Sequence, residues 1–419
     1  MREQGSIFSR LDWITVGLFA LLVFMGWINI YAAVFNADQP SIFDTTQKYG
    51  KQLLWIGGSF IIIVVILFTD GLIYEKLAYF IFGIVMLLLA GVLIFGKEIK
   101  GATSWYAFGS FSLQPSEFAK FATALAVAKY LSSPTVDMRK WGQRFVVVGI
   151  LAIPAGLIAL QPDMGSVLVY AAFVLVMYRE GVPGYYIFLG IWLALLFVLS
   201  LLVPKLMLIA TLGGLLLVVI YFLRKNRQAI YLSIAAVLMS IVFVFAVDYI
   251  FNNVLAPHQQ SRFKILLGME EDPTGAGYNT HQSLIAIGSG GFSGKGFLQG
   301  TQTKYDFVPE QSTDYIFCTI GEEWGFVGTS VVVILFVLLL VRLVTLAERQ
   351  KSAFARIYGY GVASILFLHI AINIAMVIGL APVIGIPLPF FSYGGSSLWG
   401  FTILLFIFLR MDAYKWQIL

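Results

Sequence analysis

From Ile357 to Leu409 the chain reads IYGYGVASILFLHIAINIAMVIGLAPVIGIPLPFFSYGGSSLWGFTILLFIFL, 53 consecutive residues without Asp, Glu, Lys or Arg. A helix crossing the hydrocarbon core of a bilayer needs about 20 apolar residues, so this stretch holds two spans, near 357–380 and 394–409. Between them Ala381 to Ser397 carries Pro382, Pro387 and Pro389 with Gly385, Gly394 and Gly395. Backbone that leaves the helix at membrane depth must be buried in protein or line water, because hydrocarbon offers its N–H and C=O groups no partner.

The rest of the chain repeats the pattern. Of 419 residues, 59% are hydrophobic and 12% charged, with mean hydropathy +0.88, which excludes a soluble globular, disordered or fibrous protein. Further apolar runs lie near 13–34, 52–69, 77–95, 145–161, 184–203, 206–223, 228–250 and 324–345, with shorter ones near 116–131 and 164–178. The expected fold is all-α: a polytopic membrane bundle of 10–12 helices forming a single domain over 1–419. The first run is longer than a signal-peptide core and is expected to be retained. Alternating the spans from a cytoplasmic N-terminus puts Arg139/Lys140/Arg144, Arg224/Lys225/Arg227 and Arg349/Lys351/Arg356 on the cytoplasmic side, with both termini. One large connection, about 251–312, then faces outward, and loops of that length usually carry function.

The formal charge of +5 is spread between apolar runs instead of forming a patch, which argues against nucleic acid. Cys318 is the one cysteine, so there is no internal disulfide and no cysteine-rich metal site. His258, His281 and His369 have no metal-ligand spacing, and His369, mid-span, suits a hydrogen bond across helices.

Ionisable groups within or at the edge of apolar spans are costly and therefore functional candidates. Glu117 and Lys120, in QPSEFAK (114–120), share a helix face just after a proline suited to a helix start. Asp163, in QPDMG (161–165), occupies a proline-broken junction where it could join Lys120; a structural ion pair between helices is the alternative. Asp314, in FVPEQSTDYIF (307–317), opens a helix at the membrane edge. Local pattern favours a structural role there, with Ser312 or Thr313 as helix cap; the functional alternative is a partly desolvated carboxylate suited to general-base work. The glycine-rich GSGGFSGKG (288–296) lacks the spacing of a nucleotide-binding loop. With Lys295, Lys304, Arg262 and Lys264 it offers backbone donors and cations to an anionic headgroup such as a diphosphate, or it is simply a solvated loop.

Taken together, QPSEFAK, QPDMG, the run from Gly275 to Gln302, PEQSTDYIF (309–317), GEEWG (321–325) and the segment Asn373 to Ser397 resemble the SEDS family of shape, elongation, division and sporulation proteins, and its elongation branch more than its division branch. The resemblance implies a peptidoglycan glycosyltransferase that polymerises lipid II at the outer face of the bacterial cytoplasmic membrane, inverting the anomeric carbon and releasing undecaprenyl diphosphate. It implies Asp314 as the catalytic base and Glu117, Lys120 and Asp163 as polar cavity residues; Lys295 and Lys304 of the loop, with Glu310 and Ser396 within the motifs, are the further candidates for substrate binding or the cavity. It also implies a class B penicillin-binding protein as partner within the elongation machinery. No cofactor is required by the pattern; Mg or Mn at the diphosphate is neither demanded nor excluded.

Three features depart from the family. Its usual ten spans become about twelve, the surplus pair falling within 184–251. Ser104 stands where many relatives carry arginine, and Ser312 where they carry histidine. A lipid II flippase lined by the same charges, and a non-catalytic scaffold of the cell-wall machinery, are the competing readings.

Overall fold

The computed structural model describes residues 7–35, 41–99, 102–109, 111–255, 257–267, 269, 277–305 and 307–414. The chain ends lie outside these residues, as do Gly275 and Ala276, which begin one of the sequence motifs.

Every expected apolar run is helical. Among the described residues, ten helices are long and apolar enough to cross a membrane: Trp13–Ala33, Lys48–Phe68, Ala78–Phe95, Trp141–Ala159, Tyr185–Leu202, Lys205–Leu223, Arg227–Asn253, Ile316–Glu348, Ala353–Val377 and Gly395–Tyr414. The two shorter runs form Pro115–Leu131, with its proline in the first turn, and Met164–Arg179, which tightens to a 3-10 turn over Val169–Ala172. The chain is a polytopic helical membrane protein. Local chemistry sets several starts: the Asp12 carboxylate accepts from the Thr15 N–H, Asp163 from that of Ser166 and Ser352 from that of Ala355.

The chain forms two compact units, Met1–Gly181 with Asn279–Leu419, and Val182–Tyr278. In the first, Ala353–Val377 and Gly395–Tyr414 are 67% and 83% buried, against 22% for Lys48–Phe68 and Ala78–Phe95, so the former pair is the centre and the latter the rim. Pro115–Leu131 joins that centre through Ala119, Ala122, Ala124, Ala126 and Ala128, all buried; small side chains let helix backbones approach where lipid supplies no hydrophobic drive. The second unit packs Leu196, Leu208, Leu212 and Val244 at its core, with Trp192 Nε1 donating to Ser240 Oγ at 3.1 Å and Lys205 paired to Asp248. Among its described residues are three long apolar helices, Tyr185–Leu202, Lys205–Leu223 and Arg227–Asn253.

A three-stranded antiparallel sheet was not expected from sequence. Lys97–Ile99, Ala102–Phe108 and Phe111–Leu113 pair in chain order, with Tyr106 opposite Leu113 and Phe108 opposite Phe111. Tyr106 Oη donates to the Leu88 carbonyl at 2.9 Å and ties the sheet to the preceding helix. The sheet hands the chain straight to Gln114 and the QPSEFAK helix, so it fixes where that helix begins.

The expected outer loop near 251–312 is also more ordered than its composition suggests. It contains the helices Pro257–Leu266, Tyr278–Gly290 and Thr301–Lys304.

Candidate active site

Asp314 stands two residues before the helix Ile316–Glu348, half-buried, in a turn closed by Thr313 N–H and Tyr315 N–H donating to the Glu310 carbonyl at 3.0 and 3.2 Å. Glu310 adopts a φ of +58°, a left-handed conformation that is uncommon for a residue with a side chain. The helix is capped at Tyr315 without a side-chain hydrogen bond. Ser312 and Thr313, the sequence candidates for that cap, are used otherwise: the Ser312 hydroxyl accepts from the Lys48 ammonium at 2.9 Å, and the Thr313 hydroxyl donates to the Glu310 carboxylate at 2.9 Å.

The turn is held by the Pro/Gly break between the last two spans together with Asn373 of the span before it. The carbonyls of Ser312, Thr313 and Asp314 accept in succession from Tyr393 N–H at 2.9 Å, Ser392 Oγ at 2.6 Å and Asn373 Nδ2 at 2.8 Å. Asn373 gives a second bond to the Ile386 carbonyl at 2.7 Å, and the Ser392 hydroxyl accepts from Leu388 N–H at 2.8 Å, so the break is braced by the same side chains. Gly385 lies against the carboxylate: with φ +70°, a Cβ placed there would sit 3.4 Å from Asp314 Oδ2. The irregular backbone between the two spans is thus satisfied by protein and lies against the Asp314 carboxylate.

The remaining candidates form separate groups. Lys120 Nζ lies 2.7 Å from Glu117 Oε2 and 3.2 Å from His369 Nε2, and 4.5 Å above the Phe401 ring; both charges are buried. Asp163, expected beside Lys120, instead accepts from Gln114 Nε2 at 3.1 Å, Ser116 Oγ at 3.4 Å and Ser166 Oγ at 2.7 Å while capping its own helix. Capping commits its carboxylate to hydroxyl and amide donors at the start of the QPSEFAK helix instead of to the ammonium. Ser396 is buried, accepting from Gln114 N–H at 3.1 Å and donating to the Ser112 carbonyl at 3.2 Å, which joins the last helix to the sheet.

Lys304 is exposed, whereas Lys295 is engaged with Glu322 Oε1 and Thr301 Oγ1, both at 2.7 Å. The glycine run around Lys295 is docked backbone to backbone on the break at Gly325 inside Ile316–Glu348. Phe326 N–H donates to the Gly291 carbonyl at 2.9 Å and Gly296 N–H to that of Glu323 at 3.0 Å. Gly294, at φ +78°, approaches so closely that a Cβ would fall 2.1 Å from the Glu323 carbonyl oxygen. Close backbone approach accounts for glycine at Gly290, where a Cβ would fall 1.9 Å from the Gly321 carbonyl oxygen, and at Gly294.

Lys48, Asn373, Ser392 and Glu322, on which the turn and its neighbouring loop depend, were not among the sequence candidates, although the last three lie within the quoted motifs. Asn373 was legible as a polar residue within an uncharged run and Glu322 as an acid in GEEWG; Lys48 is not marked out by local pattern. Among the described residues no three His, Cys, Asp or Glu side chains converge to hold a metal ion.

Comparison with known proteins agrees with this architecture. A cell cycle protein family model, that of FtsW, RodA and SpoVE, matches residues 12–203 and 178–417. The chain is 32% identical to the peptidoglycan glycosyltransferase RodA of Treponema pallidum, over 99% of both chains. It is 34% identical to the peptidoglycan glycosyltransferase MrdB of Escherichia coli, over 91% of this chain and 87% of that one. Among solved structures it superposes on a chain of a peptidoglycan synthase complex that coordinates polymerization and crosslinking, with TM-score 0.70, 27% identity and coverage of 97% and 99%. It also superposes on the rod shape determining protein RodA of Thermus thermophilus, with TM-score 0.63, 26% identity and coverage of 97% and 98%. The family resemblance carried by the sequence motifs therefore holds along the whole chain, which belongs to the FtsW, RodA and SpoVE family of membrane proteins.

Proposed function

We propose that this chain is a peptidoglycan glycosyltransferase that polymerises lipid II, with Asp314 as the general base. The observation that carries the reading is the braced turn: a half-buried carboxylate beside Gly385, its backbone anchored at three successive carbonyls, with the helix cap falling at Tyr315 instead. In the transfer, the acceptor sugar hydroxyl attacks the donor's anomeric carbon from the face opposite the leaving group. One C–O bond forms, the bond to undecaprenyl diphosphate breaks with its electron pair, and the proton passes to Asp314. A positioned base of this kind contributes about 10²- to 10⁴-fold to the rate.

Lys48, linked to the Asp314 turn through Ser312, and the exposed Lys304 supply positive charge near the turn for the diphosphate. A divalent cation, Mg or Mn, would arrive on the diphosphate with a minority of protein ligands, as magnesium does at phosphate sites. Chelator titration of polymerisation tests that point. Arg139 and Arg144 lie at the start of Trp141–Ala159 and Arg349 just after Ile316–Glu348, at the helix ends opposite Asp163 and Asp314. This supports cytoplasmic termini and an active site on the outer face of the bacterial cytoplasmic membrane. A class B penicillin-binding protein, the crosslinking partner within the elongation machinery, fits the structural similarity to a chain of a polymerising and crosslinking complex.

The test is polymerisation of labelled lipid II by wild type and Asp314→Ala, with and without the transpeptidase, alongside a thermal melt. The expected result is a folded variant at least about 100-fold slower. Equal polymerisation by both would remove Asp314 from the mechanism, and lipid II translocation in proteoliposomes without polymerisation would establish the flippase instead.

A further inference from the structure

We propose that Glu322 is a positioning residue for the Asp314 turn, acting through the loop Lys295–Thr303; the proposal rests on Asp314 being the base. Glu322 is wholly buried, nearly two turns into the helix that Asp314 precedes. Its Oε1 accepts from Lys295 Nζ at 2.7 Å, Thr301 N–H at 2.7 Å and Gln302 N–H at 2.8 Å. Its Oε2 accepts from the Thr303 N–H and hydroxyl, both at 2.9 Å. Three successive backbone N–H groups with a nearby lysine are the arrangement that binds a phosphate, and here the protein's own carboxylate fills it. Of the cations that the sequence offered to a diphosphate, Lys295 is engaged by Glu322.

The Gln311 side chain passes the shape of the loop to the Asp314 turn. Gln311 Nε2 donates to the Thr303 carbonyl and to the Ala33 carbonyl, both at 2.7 Å, and Gln311 directly precedes Ser312, Thr313 and Asp314. Glu322 fixes the N–H side of Thr303, and Gln311 reads its C=O side. The Asp314 turn is thereby held from two directions, by the Asn373–Tyr393 segment and by this loop. A carboxylate whose base geometry depends on both loses rate before it loses substrate when either is released.

The full-length protein, reconstituted and supplied with labelled lipid II, distinguishes this from a purely structural role. Glu322→Gln keeps the side-chain shape but turns an acceptor into a donor against backbone N–H groups. The expected result is a tenfold or greater fall in kcat, a KM for lipid II within twofold of wild type, and faster amide exchange at Thr301–Thr303. Gln311→Leu should produce a similar fall in kcat, and the double variant should be no slower than the slower single variant. A wild-type kcat in Glu322→Gln, a fall that only tracks the folded fraction, or losses that multiply in the double variant would each overturn the proposal. If Glu322→Gln does not fold, Thr303→Val, which removes one hydroxyl donor and keeps the N–H, carries the same expectation at threefold or more. Asp314→Asn is run in parallel. If it polymerises normally the base assignment itself fails, whereas an inactive Asp314→Asn beside a normal Glu322→Gln sinks only the positioning role.

Discussion

Asn373 spends both amide hydrogens on the carbonyls of Asp314 and Ile386, from a position with no exposed surface. Replacing it by leucine strands two carbonyls, each costing about 1–3 kcal/mol when buried without a partner. Asn373→Leu is therefore expected to lower the melting temperature and to reduce kcat at temperatures where the protein stays folded. Gly385→Ala should separate the two effects: left-handed backbone costs an L-residue about 1–2 kcal/mol, while the added methyl crowds the Asp314 carboxylate. Its signature is a kcat loss out of proportion to the shift in melt. The Glu117–Lys120 pair allows a different separation. Lys120→Met leaves a buried carboxylate unpaired, a loss of about 3–5 kcal/mol, and pairing it with Glu117→Leu should recover much of the stability. If lipid II polymerisation returns along with stability, the pair is structural; if only stability returns, it belongs to the cavity. Asp314, Glu117, Lys120 and Asp163 were legible because charge within an apolar run is conspicuous. The partners of Asp163 and the brace from Asn373 were not, because a hydrogen bond between residues 59 positions apart leaves no mark on either neighbourhood.

Among the elements, the membrane helices were legible because their signal is length and apolarity, which needs no knowledge of what packs against them. The sheet at Lys97–Leu113 was not: its strands have three, seven and three residues, too short for such a scan. The break at Gly325 escaped for another reason. GEEWG reads as the polar start of a span, yet the helix begins at Ile316 and opens its backbone at Gly325 to receive the loop at Gly291–Gly296. Gly294→Ala is expected to undock that loop, since both its φ and the adjacent Glu323 carbonyl exclude a Cβ. Hydrogen exchange at Phe326 and Gly296, whose N–H groups cross the junction, should rise by an order of magnitude or more.

Across the larger unit the two ends of the helices are built differently. The end bearing Asp314 is held by amide, hydroxyl and carbonyl groups with a few charges among them. The opposite end is a lattice of ion pairs: Asp12 with Arg342, Arg349 with Asp412, Arg356 with Glu180 and Arg179 with Glu348. Asp12 titrates at about 2: its burial raises the pKa, but hydrogen bonds from Arg342 and Thr15 outweigh it. Because the folded pKa lies below the unfolded value of 3.8, this carboxylate contributes its stability above that pH and loses it as pH falls towards 2. Asp12→Asn should therefore melt lower than wild type from about pH 5 to 8 in detergent, and the gap should close progressively below about pH 4.

The brace on Ser312, Thr313 and Asp314 has a consequence for how a polymer is made. On the proposed mechanism, with Asp314 as base, three consecutive carbonyls held by Tyr393, Ser392 and Asn373 fix the backbone that carries the acid through a catalytic cycle. Repeated addition then requires the growing strand to advance by one unit past a stationary acid after each bond is made. The travelling component of such a polymerase is its product.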